Sequence, residues 1–444
     1  MRNSILLAAA VALACLVRVT PASACGGCFS PPVTQNPTVV TDHRMILSVS
    51  MEQTTLYDQI KYTGSPDSFA WVLPIAGTAE VGLSADIVFG VLDTMTRTTI
   101  YQPPRNCAPP PYCKNSGPDA SAAAQDAAAG GVQVLKSEVV GPYETVQLAS
   151  TDPTALGNWL TSHGYDIPAD VQPVIDAYVK SGFDFLAMKL VPGATIQAMR
   201  PVRVTTQGAS PVLPLRMVAA GTGASVGITL WVLGDGRYEP QNFPTFRIKD
   251  SEIVWDYSTA SSNYASLRQA YEQQSGNRAW ELESALGINI GAFTNLVDNG
   301  GTPYPYYNYD AGSDYDPVGD PDAGDGGLTS AQVRDADLAA LFAGMNASDV
   351  TVSRIRADLG RTALGEDLVL QASADQSTLT NLRYPTKSIN APACPTYPPC
   401  AEGDGNAVGG GCAVSSGEDG NGFLMLVVAL GIVGAHSLAR RRKR

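Results

Sequence analysis

Histidine and positive charge are scarce in this sequence. Its 444 residues include three His and 29 Lys plus Arg, against 42 Asp plus Glu. Between a signal and a tail described below, 22 basic residues face 40 acidic ones. Such an acidic body repels phosphate backbones, which excludes sequence-independent nucleic-acid binding. Only His43 and His163 lie in the body, so a four-ligand zinc site has few ligands available.

The N-terminus has the three parts of a secretory signal, which predicts an exported protein. Arg2 supplies the positive start, residues 5–17 are apolar, and Ala22-Ser23-Ala24 forms a small-residue cleavage site before Cys25. The same four residues also resemble a lipobox, in which Cys25 would be lipidated. A lipobox normally has Leu where Ala22 stands, so simple cleavage is preferred.

The C-terminus predicts a single membrane-spanning helix, so the membrane is an expected partner. Residues 423–439 are apolar, which at 17 residues is the short limit for crossing a bilayer. The basic residues that follow are Arg440, Arg441, Arg442, Lys443 and Arg444. Their charge places the terminus in the cytoplasm and the body outside. Both termini therefore predict localisation in the cell envelope or at the cell surface.

The segment Gly409–Arg444 resembles the myxobacterial-type sorting tail called MYXO-CTERM, in its glycine-rich linker, Cys, short helix and Arg cluster. The resemblance implies that Cys412 is the processing residue, that the helix is removed, and that sorting machinery displays the protein on the cell surface. A plain single-pass anchor is the alternative.

The cysteines agree with export. Six of eight remain once Cys15 leaves with the signal and Cys412 with the tail. They form three close pairs: Cys25 and Cys28, Cys107 and Cys113, and Cys394 and Cys400. An oxidising compartment favours structural disulfides, although sequence does not fix the connectivity. We expect local 107–113 and 394–400 bridges, because their proline-rich loops are already bent. A thioredoxin-like role for the first pair is disfavoured, since Pro31 and Pro32 follow where a helix should begin.

The body predicts an α+β fold of mostly antiparallel sheets packed with helical hairpins, with Pro/Gly/Asp-rich insertions and a C-terminal transmembrane helix. Residues 38–50, 54–63 and 69–74 read as strands, and Ser84 as the cap of a helix. A helical hairpin opens at Asp152-Pro153 and continues from Pro168. Three apolar runs, at residues 199–207, 212–219 and 225–233, read as a β-meander, and we expect Val226, Ile228, Leu230 and Val232 to form its buried row. Residues 262–285 read as helical, and residues 378–411 as a linker.

These patterns divide the chain into eight parts. They are a signal peptide (1–24), a β-rich part (25–101), a Pro/Cys/Ala insert (102–131), an α+β core (132–297), a Tyr/Asp/Gly loop (298–327), a C-terminal α/β part (328–377), a linker (378–422) and the transmembrane and sorting tail (423–444).

Two motifs suggest chemistry. Gly223-Ala-Ser225-Val-Gly227 matches the G-x-S-x-G pattern of serine hydrolases, but it precedes a strand and its only later His, His436, lies in the tail. We therefore interpret it as a turn. The acidic loop resembles a Ca²⁺ loop, although it lacks a ligand at position 5 and an entering helix. Its oxygen donors would be Asp314, Asp316, Asp320, Asp322 and Asp325. No other cofactor is expected.

Residues 24–375 resemble the bacterial exported family DUF2330. The blocks that carry the resemblance are 24–29, 67–75, 159–165, 199–204, 214–217, 230–237 and 353–368. The family has no assigned activity, so the resemblance implies no catalytic residue. The sequence favours a non-catalytic, surface-displayed structural or binding protein whose partner is an envelope protein or polysaccharide. The alternative is an envelope hydrolase that uses a carboxylate pair, because Asp and Glu are abundant.

Overall fold

The computed structural model describes residues 28–29, 39–63, 70–105, 107, 139–140, 143–148, 155–162, 171–190, 200–219, 222–300 and 330–396. These residues belong to two compact units. The first lies within residues 1–105 and 125–392 and contains all the helices and strands given below. The second lies within residues 106–124 and 393–444.

A mixed eight-stranded sheet is the centre of the first unit. Its strands, in order across the sheet, are β14 (Thr245–Phe246), β17 (Trp280–Gly287), β18 (Val350–Gly360), β12 (Thr222–Asp235), β2 (Val39–Val49), β3 (Gln53–Thr63), β10 (Val202–Gln207) and β5 (Ala79–Leu83). The β12–β2 and β14–β17 pairs are parallel, and the other pairs are antiparallel.

An antiparallel five-stranded sheet accompanies it. Its strands are β1 (Cys28–Phe29), β4 (Ala70–Ile75), β9 (Asp184–Leu190), β8 (Tyr143–Leu148) and β7 (Val139–Val140). Short strands form three smaller sheets. These are β11 (Val212–Leu213), β19 (Leu368–Ala372) and β13 (Tyr238–Pro240); β16 (Ser261–Ser262), β15 (Val254–Asp256) and β21 (Lys387–Ile389); and β20 (Leu382–Arg383) with β6 (Thr99–Ile100).

Seven α-helices are present among the described residues. They are α1 (Asp86–Thr96), α2 (Ala155–Ser162), α3 (Gln172–Lys180), α4 (Leu215–Ala219), α5 (Tyr264–Gln274), α6 (Ile290–Asp298) and α7 (Ser330–Leu341). The predicted mixture of mostly sheet with helices is therefore confirmed. No described helix has the length and apolar character that crossing a membrane requires, and the expected transmembrane segment 423–439 lies outside the described residues.

The strand β12 is buried on both faces, which places it at the centre of the core. The predicted row Val226, Ile228, Leu230 and Val232 is confirmed, and all four side chains join the core cluster that includes residues of the five-stranded sheet. The alternate residue Trp231 faces the opposite cluster, with side chains from α1, α6 and α7. Successive residues of a strand point to opposite faces, so β12 contributes to both layers.

The predicted meander is wrong. The run 199–207 forms β10, which pairs with β3 and β5 rather than with β12. The run 212–219 divides into the short strand β11 and the helix α4. The partners of β12 are β2 and β18, which are distant in the sequence. Three consecutive apolar runs predict strands, but which strands pair is decided by packing across the whole unit.

Three further expectations need correction. Residues 280–287 form β17 instead of extending a helix, because β18 and β14 pair with them. The expected linker from residue 378 contains β20 and β21, which pair with β6 and β15. The residue at the N-cap of α1 is Ala85, and Ser84 donates its hydroxyl to Asp337 instead of capping the helix.

A disulfide between Cys107 and Cys394 lies in the second unit, with Cα atoms 5.4 Å apart. The expected local bridges are therefore wrong for these two cysteines. The two cysteines are 287 residues apart in sequence. Closing so long a loop also stabilises more than closing a short one.

Candidate functional site

A cavity of about 630 Å³ opens in the first unit, and we call it the charged cavity. Its charged lining residues are Arg44, Arg200, Arg354, Arg356, Asp42, Asp58, Asp86 and Asp93. Apolar and aromatic side chains line much of the remaining wall of the cavity. Among them are Ile60, Trp71, Tyr143, Met188 and Val202. The cavity therefore combines balanced charge with an apolar surface, which is how small-ligand sites are commonly built.

Strand register builds the charged wall. Arg44 of β2 lies opposite Thr229 of β12, and Thr229 lies opposite Arg356 of β18. Two positions along, Asp42 and Asp358 lie on either side of Gly227. Since side chains two residues apart share a face, a row of carboxylates lies beside a row of guanidinium groups.

Arg354 is fixed by two carboxylates. Its Nη1 lies 2.7 Å from Asp93 Oδ1, and its Nε donates to Glu283. The guanidinium also lies over the ring of Trp231, 5.1 Å from the ring centroid. A cation held by two anions and an aromatic face is rigid, so Arg354 is a supporting element of the wall.

Arg44 is held mainly by neutral groups. It donates to Gln59 Oε1 over 2.9 Å and to the carbonyl of Phe89 over 3.2 Å. The rings of Phe89 and Trp231 lie 5.8 and 5.4 Å from its guanidinium carbon. Burial lowers the pKa of Arg44, with Asp93 raising it and Arg354 lowering it to smaller degrees. Gln59 also donates to Asp86, whose pKa is raised chiefly by burial.

His43 and Asp58 form a buried pair. The Nδ1 atom of His43 lies 3.1 Å from Asp58 Oδ1, and both side chains are almost fully buried. The other ring nitrogen, Nε2, is buried and has no hydrogen-bond partner among the described residues. Asp58 also lines a second cavity of about 20 Å³ with apolar residues.

Asp42 and Arg356 stand apart from the other charges. Asp42 makes no hydrogen bond or ion pair within the described part of the chain. Arg356 Nη2 is 4.0 Å from Asp358 Oδ1, which is beyond hydrogen-bond distance, and its Nε is buried without a partner. The charge of Asp42 therefore has no ion-pair partner among the described residues, and that of Arg356 has only the ion pair of 4.0 Å with Asp358.

None of the residues that the sequence singled out is among the described lining residues of the charged cavity. The Ca²⁺ candidates Asp314, Asp316, Asp320, Asp322 and Asp325 lie outside the described residues, as do Cys25, Cys113, Cys400, Cys412, Ala22, Ala24 and the arginines Arg440, Arg441 and Arg442. Ser225 and both glycines of its motif lie within β12, so the predicted turn at residues 223–227 is wrong, and Ser225 does not stand on a strand-to-helix turn either. Cys28 lies in β1. Among the described residues no three His, Cys, Asp or Glu are grouped to hold a metal ion.

The sequence contains one signal for the charged wall. In Ser353-Arg354-Ile355-Arg356-Ala357-Asp358, charged and apolar residues alternate with the period of a strand. Asp42-His43-Arg44 begins a similar alternation in β2. Charges on every second residue of a core strand indicate one face that is not packed with apolar groups.

The fold and the cavity define an α+β protein with a ligand-sized charged cavity beside a mixed sheet. Residues 19–289 match the family model described as an uncharacterized protein conserved in bacteria, DUF2330, and the chain belongs to that family. The matched region ends before β18, although β18 lies between β12 and β17 in the sheet. The structural unit is therefore longer than the matched region.

No curated protein matches the chain. Among solved structures, the chain is similar to the crystal structure of baculovirus P35, with 12% identity over 46% of this chain and 67% of that chain. The TM-score of that superposition is 0.26, which is too low to support an argument about fold or function.

Proposed function

We propose that this protein is an exported, non-catalytic binding protein of the cell envelope, and that its ligand occupies the charged cavity. Three observations support export: the signal pattern of residues 1–24, the tail 409–444, and the disulfide between Cys107 and Cys394. Structural disulfides persist in oxidising compartments outside the cytoplasm. The tail also supports an interaction with sorting machinery and attachment to the membrane before processing.

The observation that carries the binding proposal is the preorganised wall of the cavity. Arg354, Arg44 and Asp86 have fixed partners, so they cannot collapse into the open space. Groups held in place before binding lose little conformational entropy when a ligand arrives. The volume of about 630 Å³ is that of a small-ligand site.

The aromatic lining supports an envelope saccharide or an extended protein segment as the ligand. Trp71 and Tyr143 both line the cavity, and flat apolar rings with polar edges are common contact surfaces for such ligands. The hydroxyl of Tyr143 is held by Arg200, whose carbonyl accepts from it over 2.7 Å.

A matched pair of variants tests this proposal. Ile60→Trp adds bulk inside the cavity, and Val369→Trp places the same side chain on β19, away from it. We expect wild-type protein and the Val369 variant to capture saccharide or protein from cell-envelope fractions, and the Ile60 variant to lose capture while remaining folded by circular dichroism. Capture that is equal in all three proteins, or absent from wild type, contradicts a ligand in the cavity.

Localisation needs its own test. Cell fractionation with a thiol-reactive label is expected to find the chain outside the cytoplasm, with Cys107 and Cys394 unlabelled until a reductant is added. A full-length cytosolic protein with reduced thiols contradicts the proposal.

The second candidate function is an envelope hydrolase, which the carboxylates of Asp42 and Asp358 favour. Their Oδ1 atoms lie 2.3 and 3.0 Å from the point where a Cβ on Gly227 would be. The two oxygens are therefore no farther apart than the sum of these distances, which is close to the spacing of a retaining glycosidase pair. Release of reducing ends from envelope polysaccharide by wild type, with loss in Asp358→Asn, would establish this alternative.

A further inference from the structure

Two charges of the cavity lie on either side of β12. Asp42 has no ion-pair partner among the described residues, and Arg356 has only an ion pair of 4.0 Å with Asp358. Asp42 is on β2 opposite Gly227, and Arg356 is on β18 opposite Thr229. Adjacent strands are roughly 4.8 Å apart, so these two side chains leave the sheet about 10 Å apart across it. That separation, with Thr229 between them, explains why they do not form an ion pair with each other.

Gly227 sets the position of the Asp42 carboxylate. A Cβ at residue 227 would meet Asp42 Oδ1 at 2.3 Å, which is closer than real contacts allow. The absence of a side chain therefore lets the carboxylate lie over the backbone of β12. The backbone of Gly227 itself has no positive φ, so close approach, and not turn geometry, is what requires glycine at this position.

Three other charges of the cavity have closer partners. Arg354 contacts Asp93 and Glu283, Asp58 contacts His43, and Asp86 accepts from Gln59. A charged group that is taken partly out of water without a close partner costs free energy. Asp42 has no ion-pair partner among the described residues and Arg356 has only the ion pair of 4.0 Å with Asp358, so a ligand that contacted both side chains would reduce this cost.

We propose that the charged cavity binds a zwitterionic ligand, whose cationic group contacts Asp42 and whose anionic group contacts Arg356. This inference rests on the proposed binding function and names its ligand class. The uncharged middle of the ligand spans Thr229, which lies between the two charged side chains. The guanidinium of Arg356 is suited to a carboxylate or phosphate because its fork of donors matches their oxygens.

Three probes of equal length separate the charge types: 6-aminohexanoate, hexanedioate and 1,6-diaminohexane. Titration calorimetry with the full exported chain is expected to show 6-aminohexanoate binding about tenfold more tightly than either of the other two, because each of them places a like charge against one side chain. Equal affinities for the three probes, or no binding by any, overturn the inference.

Variants that neutralise one of the two charged side chains are expected to reverse the order of the probe affinities. Asp42→Asn is expected to bind hexanedioate at least as tightly as 6-aminohexanoate, and Arg356→Gln to show the same reversal toward 1,6-diaminohexane. The double control Lys249→Gln with Asp298→Asn removes one charge of each sign from exposed positions and keeps the wild-type order. Variants that weaken the binding of all three probes equally also overturn the inference.

The result of this test is distinguishable from failure of the proposed function. If Ile60→Trp blocks capture of envelope material but the probes show no such charge selectivity, the binding function stands and only the ligand class is rejected.

Discussion

Asp337 of α7 and Asp42 of β2 both lie against the eight-stranded sheet, but their surroundings differ. Asp337 is fully buried and accepts hydrogen bonds from Arg203 at 2.6 Å, Ser84 at 2.9 Å and the backbone of Ala85 at 2.7 Å. Asp42 is half-buried beside open space and accepts none from the described residues. The first carboxylate joins a helix to the sheet, whereas the second is available to something that is not part of the chain.

The largest expected effect comes from removing the partnered carboxylate. Asp337→Ala leaves Arg203 buried without its anion, and breaking a buried pair costs about 3–5 kcal/mol of the free energy of unfolding. Asp335→Ala is the matched control, because Asp335 lies exposed on the same helix. Urea denaturation measures both. A loss below about 1 kcal/mol for Asp337→Ala would mean that the network does not hold α7 in place.

The next largest expected effect is the pH dependence of the free energy of unfolding that Glu281 causes. Burial raises its pKa to about 7, with Glu283 raising it further while Tyr264, Arg268 and Arg383 lower it. The folded state therefore holds this proton more tightly than the unfolded chain. The contribution of protonated Glu281 to the free energy of unfolding is complete below the unfolded pKa of about 4.5. It is lost as the pH rises toward 7.

Glu281→Gln should flatten this decline. The variant removes about 2–3 kcal/mol of the change between pH 4.5 and 7. In this variant the free energy of unfolding still declines, to a smaller extent, as the pH rises. The cause is Asp337, because burial raises its pKa to about 6. Glu80→Gln, at an exposed position of β5, is the control. A wild-type free energy of unfolding that rises across this range would contradict the assignment.

Gly227→Ala tests the position of Asp42 without changing any charge. The new Cβ displaces the carboxylate, so we expect affinity for 6-aminohexanoate to fall about fivefold, or ~1 kcal/mol. Affinity for hexanedioate should not fall. Gly223→Ala on the same strand has nothing within 4 Å of its Cβ and serves as the control. Equal effects from both substitutions would show that β12, and not the carboxylate, is responsible.

The smallest effect on stability is expected where the effect on binding is greatest. Asp42→Asn and Arg356→Gln should each change the free energy of unfolding by less than about 0.5 kcal/mol, because Asp42 has no ion-pair partner among the described residues and Arg356 loses only a partly exposed ion pair of 4.0 Å with Asp358. Thermal and urea denaturation at neutral pH measure this. A loss of about 2 kcal/mol in either variant would give that residue a structural role like that of Asp337.

Local patterns in the sequence predicted much of the fold. Alternating apolar residues identified β12 and its buried row, and the long β-rich runs identified β2 and β3. The segment Trp280–Gly287 was misassigned because Glu, Leu and Ala favour helices, whereas its position between β14 and β18 imposes a strand. Intrinsic propensity is weak, and tertiary pairing overrides it.

The cavity could not be located from sequence because its walls come from distant segments. Asp42 and Arg356 are more than 300 residues apart in the chain, and only the β2–β12–β18 register brings them together. The disulfide between Cys107 and Cys394 likewise joins residues 287 positions apart in the sequence. The spacing of residues along the chain does not show which distant residues are in contact.

The position of β18 also bears on how the protein is made. A ribosome produces β12 and β17 long before residues 350–360, and until then both strands present unpaired hydrogen-bonding edges. Exposed edges of this kind recruit strands from other molecules. Nascent chains that stop after residue 289 should therefore self-associate. In the cell, the exposed edges of β12 and β17 must be protected until β18 has been synthesised.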